Sequence, residues 1–484
     1  MVVMAVNVHP RPLADPAWPA AAQPGVAPLR TAPPAAPVVG GRFRQARRRF
    51  AADALRVAGW AMIAASVAVF LAGRSDYGWG SVEQVLTSVG AIAGLVAMTE
   101  MVLMVFLAAR IPFVDRAIGH DGALELHKSL GVTTFAFLGM HIVFLTAAWS
   151  VTAGGWVGGL TDLWGTTDVA LAILGTGLAG VVGLTSLAAA RKVLPREVWH
   201  VIHLTSYVAI GLAIPHQFTT GGLLSEGIAR AYWVVLLSSA AASIVAFRVV
   251  RPIAASLEHE LRVIDVRQVS RDSVTITMKG RNLDQLGARP GQFLNWRFWT
   301  PSLWWHPHPF SLSAAPNGRT LSITVRGLGK GSQALQRVAI GTRVSAEGPF
   351  GLLTPEVRTR GPLVLAGAGV GLAPLKSLLE GMDIVPGRTL VIARGSRVDD
   401  LVHLPEFEAL CRSKGARLVV LTGARGRSWA PASAGDLHVA HLAPWIAEAD
   451  LYLCGPDSWA DSLTSEAMQA GLDHTHIHRE RFSW

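Results

Sequence analysis

The chain has 484 residues, 51% of them hydrophobic, and a formal net charge of +10. That length accommodates several domains, and the apolar content excludes an ordinary soluble protein. Two cysteines, Cys411 and Cys454, exclude a disulfide scaffold and a four-thiolate iron–sulfur cluster.

In chain order, residues 1–40 are rich in Pro and Ala, with no hydrophobic periodicity and no apolar core of signal-peptide length. Residues 1–50 therefore read as a disordered basic tail. Six apolar segments follow, near 52–72, 83–109, 124–149, 168–190, 197–218 and 229–249. Each is close to the roughly 20 residues of a bilayer span. They predict a six-span helical bundle over residues 51–252.

Arginine and lysine set the expected orientation. Arg42, Arg44, Arg47, Arg48 and Arg49 precede span one, and Arg110 and Arg116 separate spans two and three. Arg191, Lys192 and Arg196 separate spans four and five, and Arg248 and Arg251 end span six. The opposite loops carry only Arg74 and Arg230. The positive-inside rule then puts both termini in the cytoplasm, with the chain in the plasma (inner) membrane. The basic excess is a topology signal, which argues against nucleic-acid binding.

Span three carries His127 and His141, and span five carries His203 and His216. Both spans enter from the same side, so His127 and His203 share an inner depth and His141 and His216 an outer one. The two steps rise about 21 Å and about 19.5 Å. Two imidazoles at each of two levels suit two stacked bis-histidine haems. The plainer reading is four polar residues, each satisfied by a neighbouring helix. His200 competes with His203 for the inner level. A thirteen-residue step misses the starting face by roughly 140° in an ideal helix, and Pro215 is the residue able to re-aim His216. Glu100, deep in span two, receives no role.

The paired histidines on the third and fifth of six spans resemble the ferric reductase and NADPH oxidase superfamily, whose members carry two b-type haems there. In the animal superoxide-producing members a second histidine lies one turn beyond the outer ligand of the third span. Leu145 stands there in this chain.

After Pro252 the pattern changes. "LRVIDVRQVS", "SVTITMKG" and "TLSITVRG" alternate and are separated by Gly- and Pro-containing turns. They predict an antiparallel β-barrel domain over residues 253–358. Within it lie "HPHPFSLSAAP", "GLGKGSQAL" and "EGPFG". Singly, each is plain strand and turn chemistry. Their order resembles the FAD domain of the ferredoxin–NADP reductase superfamily. That resemblance implies that His308, Pro309, Phe310 and Ser311, with Ser313, hold FAD. It also implies that the turn at Gly331 and Ser332 receives the pyrophosphate.

Over residues 359–484 strands alternate with helices, the pattern of a parallel α/β sheet. "GPLVLAGAGVGLAPLKSLLEGM" is a strand, a glycine turn and a helix. Gly367, Gly369 and Gly371, followed by Pro374, suit close approach of a dinucleotide phosphate, and equally a structural βα turn. Arg394 and Arg397 occupy the place of the usual ribose-binding acid. With Arg425 they suit a 2′-phosphate, favouring NADPH with NADH possible, and equally read as solvated loop arginines. "CGP", Cys454, Gly455 and Pro456, resembles the motif that puts a cysteine near the nicotinamide in the reductase family. Without that resemblance, Cys454 is a small buried hydrophobe. The resemblance also implies that Trp484 stacks on the flavin, with Glu480 the acidic residue beside it.

These readings together imply a transmembrane oxidoreductase. NADPH, FAD and two haems b would carry electrons to an acceptor on the outer side, a ferric chelate first and oxygen second. The reading from another class is a transporter or channel with a nucleotide-sensing domain, in which the intramembrane His and Glu form a proton relay.

Overall fold

The structure is a computed structural model that describes residues 41–72, 78–220, 224–426 and 428–480. The chain divides into two compact units, one spanning Phe50–Val250 and one built on the residues from Arg251 onward.

The first unit is helical: α1 (Gly41–Ala72), α2 (Val82–Ala108), α3 (Pro112–Thr152), α4 (Trp156–Gly165), α5 (Thr167–Ser186), α6 (Ala188–Val193), α7 (Arg196–Leu204), α8 (Ser206–Thr219) and α9 (Gly227–Ile244). The described residues hold six helical stretches long and apolar enough to cross a membrane. Three local features shape them. The Ser81 side chain caps α2 by accepting the N–H of Gln84. Gly119, at φ +79°, interrupts α3 near its start, so the apolar stretch begins well inside the helix. The fourth span ends at Ser186, short of the expected 190, because Leu187 is extended (φ −62°, ψ 145°) before the separate α6.

The fifth span is two helices. Thr205 breaks it, its N–H shared between the carbonyls of His203 and Ile202. Close contacts between helices fall on small residues, as expected where lipid supplies no hydrophobic drive. A Cβ on Gly175 would lie 2.7 Å from the carbonyl oxygen of Ala209, and one on Gly183 would lie 2.8 Å from the Phe135 ring.

In the second unit, α10 (Arg251–His259) leads into β1 (Arg262–Ser270), β2 (Ser273–Lys279), β3 (Phe293–Phe298), β4 (His308–Ser311), β5 (Thr320–Arg326), α11 (Lys330–Leu335) and β6 (Val344–Phe350). The strands form two antiparallel three-stranded sheets, β1-β2-β5 and β4-β3-β6. Single bridges, Leu312 to Ile323 and Arg262 to Arg343, link the two into a ring. Inward-facing Ile276, Met278, Leu294, Trp296, Phe298, Leu312 and Ile323 fill it. Closure in this way leaves few open strand edges.

The α/β layer follows: β7 (Leu363–Ala368), α12 (Leu372–Gly381), β8 (Thr389–Gly395), α13 (Leu404–Lys414), β9 (Arg417–Thr422), α14 (Val439–Leu442), β10 (Asp450–Cys454), α15 (Asp457–Gln469) and β11 (Ile477–Glu480). The sheet order is β11-β10-β7-β8-β9, all parallel. Chain order reverses between β7 and β10, which creates a switch-point crevice at the carboxyl ends of those strands.

Candidate functional site

In the helical unit, α3 meets the fifth span at two levels. The ring centres of His127 and His203 lie 6.1 Å apart, and those of His141 and His216 lie 6.3 Å apart. Two imidazoles on opposite sides of one metal, each bonded at about 2 Å, have ring centres roughly 6 Å apart. The outward nitrogens of the two α3 histidines are held by α2. His127 Nδ1 donates to the carbonyl of Met104 (3.2 Å), and His141 Nδ1 to that of Gly90 (2.8 Å). A carbonyl only accepts, so each Nδ1 carries the proton and each Nε2 keeps its lone pair. His203 Nδ1 lies 3.4 Å from Ser186 Oγ. His216 Nδ1 is buried, with the Ala213 backbone beside the ring. These residues fit a haem at each level.

His203, rather than His200, faces His127. The Trp199 ring stacks on His203 at 4.9 Å, and the Arg191 guanidinium sits 4.7 Å from the centre of the same indole. Sequence reasoning missed the glycines that seat His141. A Cβ on Gly94 would lie 2.5 Å from His141 Nδ1, and one on Gly90 would lie 2.9 Å from Leu145. The signal was present as a G-x-x-x-G pair in span two.

In the second unit, β4 is the His308–Ser311 segment, antiparallel to β3. Ser311, Ser313 and Asn295 are all buried, and among the described residues the hydroxyls of the two serines and the amide nitrogen of Asn295 have no hydrogen-bond partner. Buried polar atoms left unbonded are the mark of a ligand cradle. Gly331 packs against the His308 ring, since a Cβ there would come within 3.3 Å of His308 Cε1. Ser332 Oγ braces its own turn by accepting the N–H groups of Leu328 and Gly329, both at 2.9 Å. Lys376 donates to the Ser313 carbonyl (3.2 Å), and Glu380 accepts the Ala315 N–H (2.8 Å). Helix α12 thus steadies the strand end that carries Ser313.

Gly367, Cys454 and Glu480 lie in one row across β7, β10 and β11. Glu480 approaches the last glycine of "EGPFG". At Gly351 (φ +92°) a Cβ would lie 3.2 Å from both a Glu480 oxygen and the Phe293 ring. Burial, then the Glu480 carboxylate, pushes the Cys454 thiol far above its ordinary pKa, so it stays a neutral thiol.

A cleft of ≈ 350 Å³ opens at the switch point, lined by Gly369, Gly371, Arg394, Arg425, Gly455 and Pro456. Gly371 cannot carry a side chain, because a Cβ would lie 2.2 Å from the Cys454 carbonyl oxygen. Gly367 and Pro374 are buried beneath the turn. The cleft residues that were not anticipated include Arg326, held by Asp272 (2.7 Å), Ser396 and Asp457. Arg394 is buried and turned inward, donating to the carbonyls of Gly395, Gly423 and Ala424. Its guanidinium braces the loop that carries Arg425. Arg425 reaches Ser458 Oγ at 2.5 Å, while Arg397 is exposed and does not line the cleft. Trp484 lies outside the described residues.

Residues 93–214 match the family model of the ferric reductase like transmembrane component. That stretch contains Glu100, His127, His141 and His203 and ends two residues before His216. Residues 259–356 match the FAD-binding domain model. The chain is 28% identical over 211 residues to a flavohemoprotein of Rhizobium meliloti (strain 1021), covering 40% of this chain and 52% of that protein. It is 29% identical over 187 residues to ferredoxin–NADP reductase B of Sorangium cellulosum (strain So ce56), covering 36% and 77%. The match thus spans about half the length of the flavohemoprotein. Among solved structures, the FAD/NAD-binding domain of a Vibrio cholerae nitric oxide dioxygenase superposes with a TM-score of 0.41 at 23% identity, covering 46% of this chain and 98% of that one. The chain thus matches a ferric-reductase-like transmembrane component followed by an FAD-binding reductase module, the arrangement of the ferric reductase and NADPH oxidase type of fusion.

Proposed function

We propose that the chain moves electrons from cytoplasmic NADPH, with FAD and two b-type haems as carriers, to an acceptor on the outer side, a ferric chelate first. The observation that carries this reading is the pair of histidine couples, 6.1 Å and 6.3 Å between ring centres, at two depths of one bundle. When bound, FAD would convert a two-electron hydride into single electrons, the currency haem iron accepts.

The protein's part is placement. His127 and His203 would hold the inner haem, and His141 and His216 the outer one, with tautomers set by the carbonyls of Met104 and Gly90. His308 to Ser311, Ser313 and the Gly331–Ser332 turn would hold FAD. The glycine turn at Gly369 and Gly371 would admit the NADPH phosphates, with Arg425 and Arg394 on the cleft wall available to the 2′-phosphate and Arg397 a further candidate outside it. Cys454, as a neutral thiol, would pack beside the nicotinamide without exchanging a proton, and Glu480 would flank the flavin. Trp484 would complete that face.

The test is an anaerobic absorbance experiment on the FAD-loaded protein. NADPH should reduce flavin and then haem. Slow reoxidation by oxygen with fast reoxidation by a ferric chelate supports the metal reductase. Fast reoxidation with stoichiometric superoxide replaces it with the oxidase. His127→Leu should leave flavin reduction intact and block reduction at both haem levels; normal haem reduction would sink the ligand assignment.

A further inference from the structure

Glu100 is a carboxylate 5% exposed in the middle of α2. Thr133 Oγ1 lies 3.0 Å from each of its oxygens, and Thr134 Oγ1 donates to one of them at 3.1 Å. Both hydroxyls are thus placed to hold the carboxyl group in position. Among the described residues no cationic side chain forms an ion pair with it. An uncompensated carboxylate in a membrane interior is costly and is retained where it serves a function.

Its position is specific. Thr134 stands seven residues from His127 and seven from His141 on one helix. That is about 10.5 Å of helix rise in each direction. The charge therefore lies level with the midpoint between the two histidine couples. A ferric centre bonded by two neutral imidazoles and a doubly anionic porphyrin keeps one net positive charge, which reduction removes.

We propose that Glu100 is a buried negative charge that sets the redox poise of both haem levels, favouring the oxidised state at each to a similar extent. It acts through space from the midpoint, without touching either site. Thr133 and Thr134 hold it there. The proposal rests on the di-haem reading given above.

The test compares the wild-type full chain with Glu100→Gln, which keeps the shape and one acceptor oxygen and removes the charge. Haem is counted first. A wild-type chain that takes up no haem sinks the di-haem reading, and the proposal with it. With two haems present, a spectroelectrochemical titration should show both midpoint potentials moving positive together in Glu100→Gln. A tenfold change in each reduction equilibrium corresponds to 59 mV for one electron. Unchanged potentials, or movement at one level alone, would overturn the proposal while leaving the haems in place. Should Glu100→Gln fail to fold, infrared spectra of the wild type and of Glu100→Asp decide instead. A protonated-carboxyl band that moves with the substitution means a neutral acid and overturns the proposal. Its absence, with potentials retained in Glu100→Asp, supports it.

Discussion

A single missing side chain governs the outer histidine couple. Gly94 leaves the space that His141 occupies, and a methyl group there would fall 2.5 Å from Nδ1, the atom that anchors the ring to Gly90. Neither backbone can give way readily, because Gly90 already brings α2 against Leu145. On the proposed di-haem reading, Gly94→Ala should therefore swing His141 off its carbonyl and reduce haem content from two per chain to one, with an overpacking cost of about 1–3 kcal/mol. A haem count with the midpoint potential of the remaining haem checks this; two haems with unaltered spectra would show that the ring adapts. At the same scale, Arg394, a phosphate candidate by residue type, lines the cleft while its guanidinium also braces the neighbouring loop. An arginine at the end of β8 has the right charge for a phosphate, and here it also donates to three loop carbonyls. Side-chain direction is not encoded in residue identity.

At the scale of elements, the fifth span shows how a broken helix serves a site. Thirteen residues of ideal helix turn His216 away from the face of His203. The break at Thr205 and the proline before His216 lie between or beside them, and both rings meet their α3 partners. The C-terminal strand β11 depends on a different device. Asp450, wholly buried at the start of β10, accepts from His478 (2.8 Å) and from the N–H of Thr359 (2.7 Å), with the Arg360 N–H alongside. Burial alone would raise its pKa, but these donors hold it below the ordinary carboxylate value. It thereby fixes both the segment entering β7 and the strand ending in Glu480. Asp450→Ala should cost about 3–5 kcal/mol at neutral pH, the scale of a broken buried polar pair. A carboxyl with a depressed pKa stabilises above its unfolded value, and that contribution is lost as pH falls through its folded value. The gap between variant and wild type should thus narrow in acid, followed by thermal unfolding monitored through flavin fluorescence. A pH-independent gap would assign the loss to packing.

At the scale of the whole molecule, the barrel and the α/β layer are joined by a polar seam. His403 sits at φ +61° before α13, 2% exposed, with Nε2 2.8 Å from Thr324 Oγ1 and 3.3 Å from Thr275 Oγ1. Burial, then Lys376, lowers its pKa to about 4, against the opposing pull of Glu406. The neutral ring is therefore the folded form. Its contribution is complete above the ordinary histidine value of 6.5 and is lost as pH falls from there toward about 4. The full effect is on the order of 3 kcal/mol. His403→Asn tolerates the left-handed backbone and cannot titrate, so it should flatten the stability profile across that window. An unchanged slope in chemical denaturation would place the acid sensitivity elsewhere.

Much of this architecture was legible in the amino-acid order. Apolar length predicted the helical stretches, strict alternation predicted β1, β2 and β5, and strand–helix alternation predicted the parallel layer, because each depends on periodicities local to a segment. The pairing of the four histidines by depth followed from rise per residue together with the span orientation set by Arg and Lys. What tertiary structure decided were the facts that join distant segments. It set His203 rather than His200 opposite His127, Gly94 beneath His141, Glu100 against two threonines of the next helix, and β7 between β8 and β10. Those choices depend on which faces pack together, and helix phase past a break such as Thr205 is set by packing energy rather than by any residue in the helix itself.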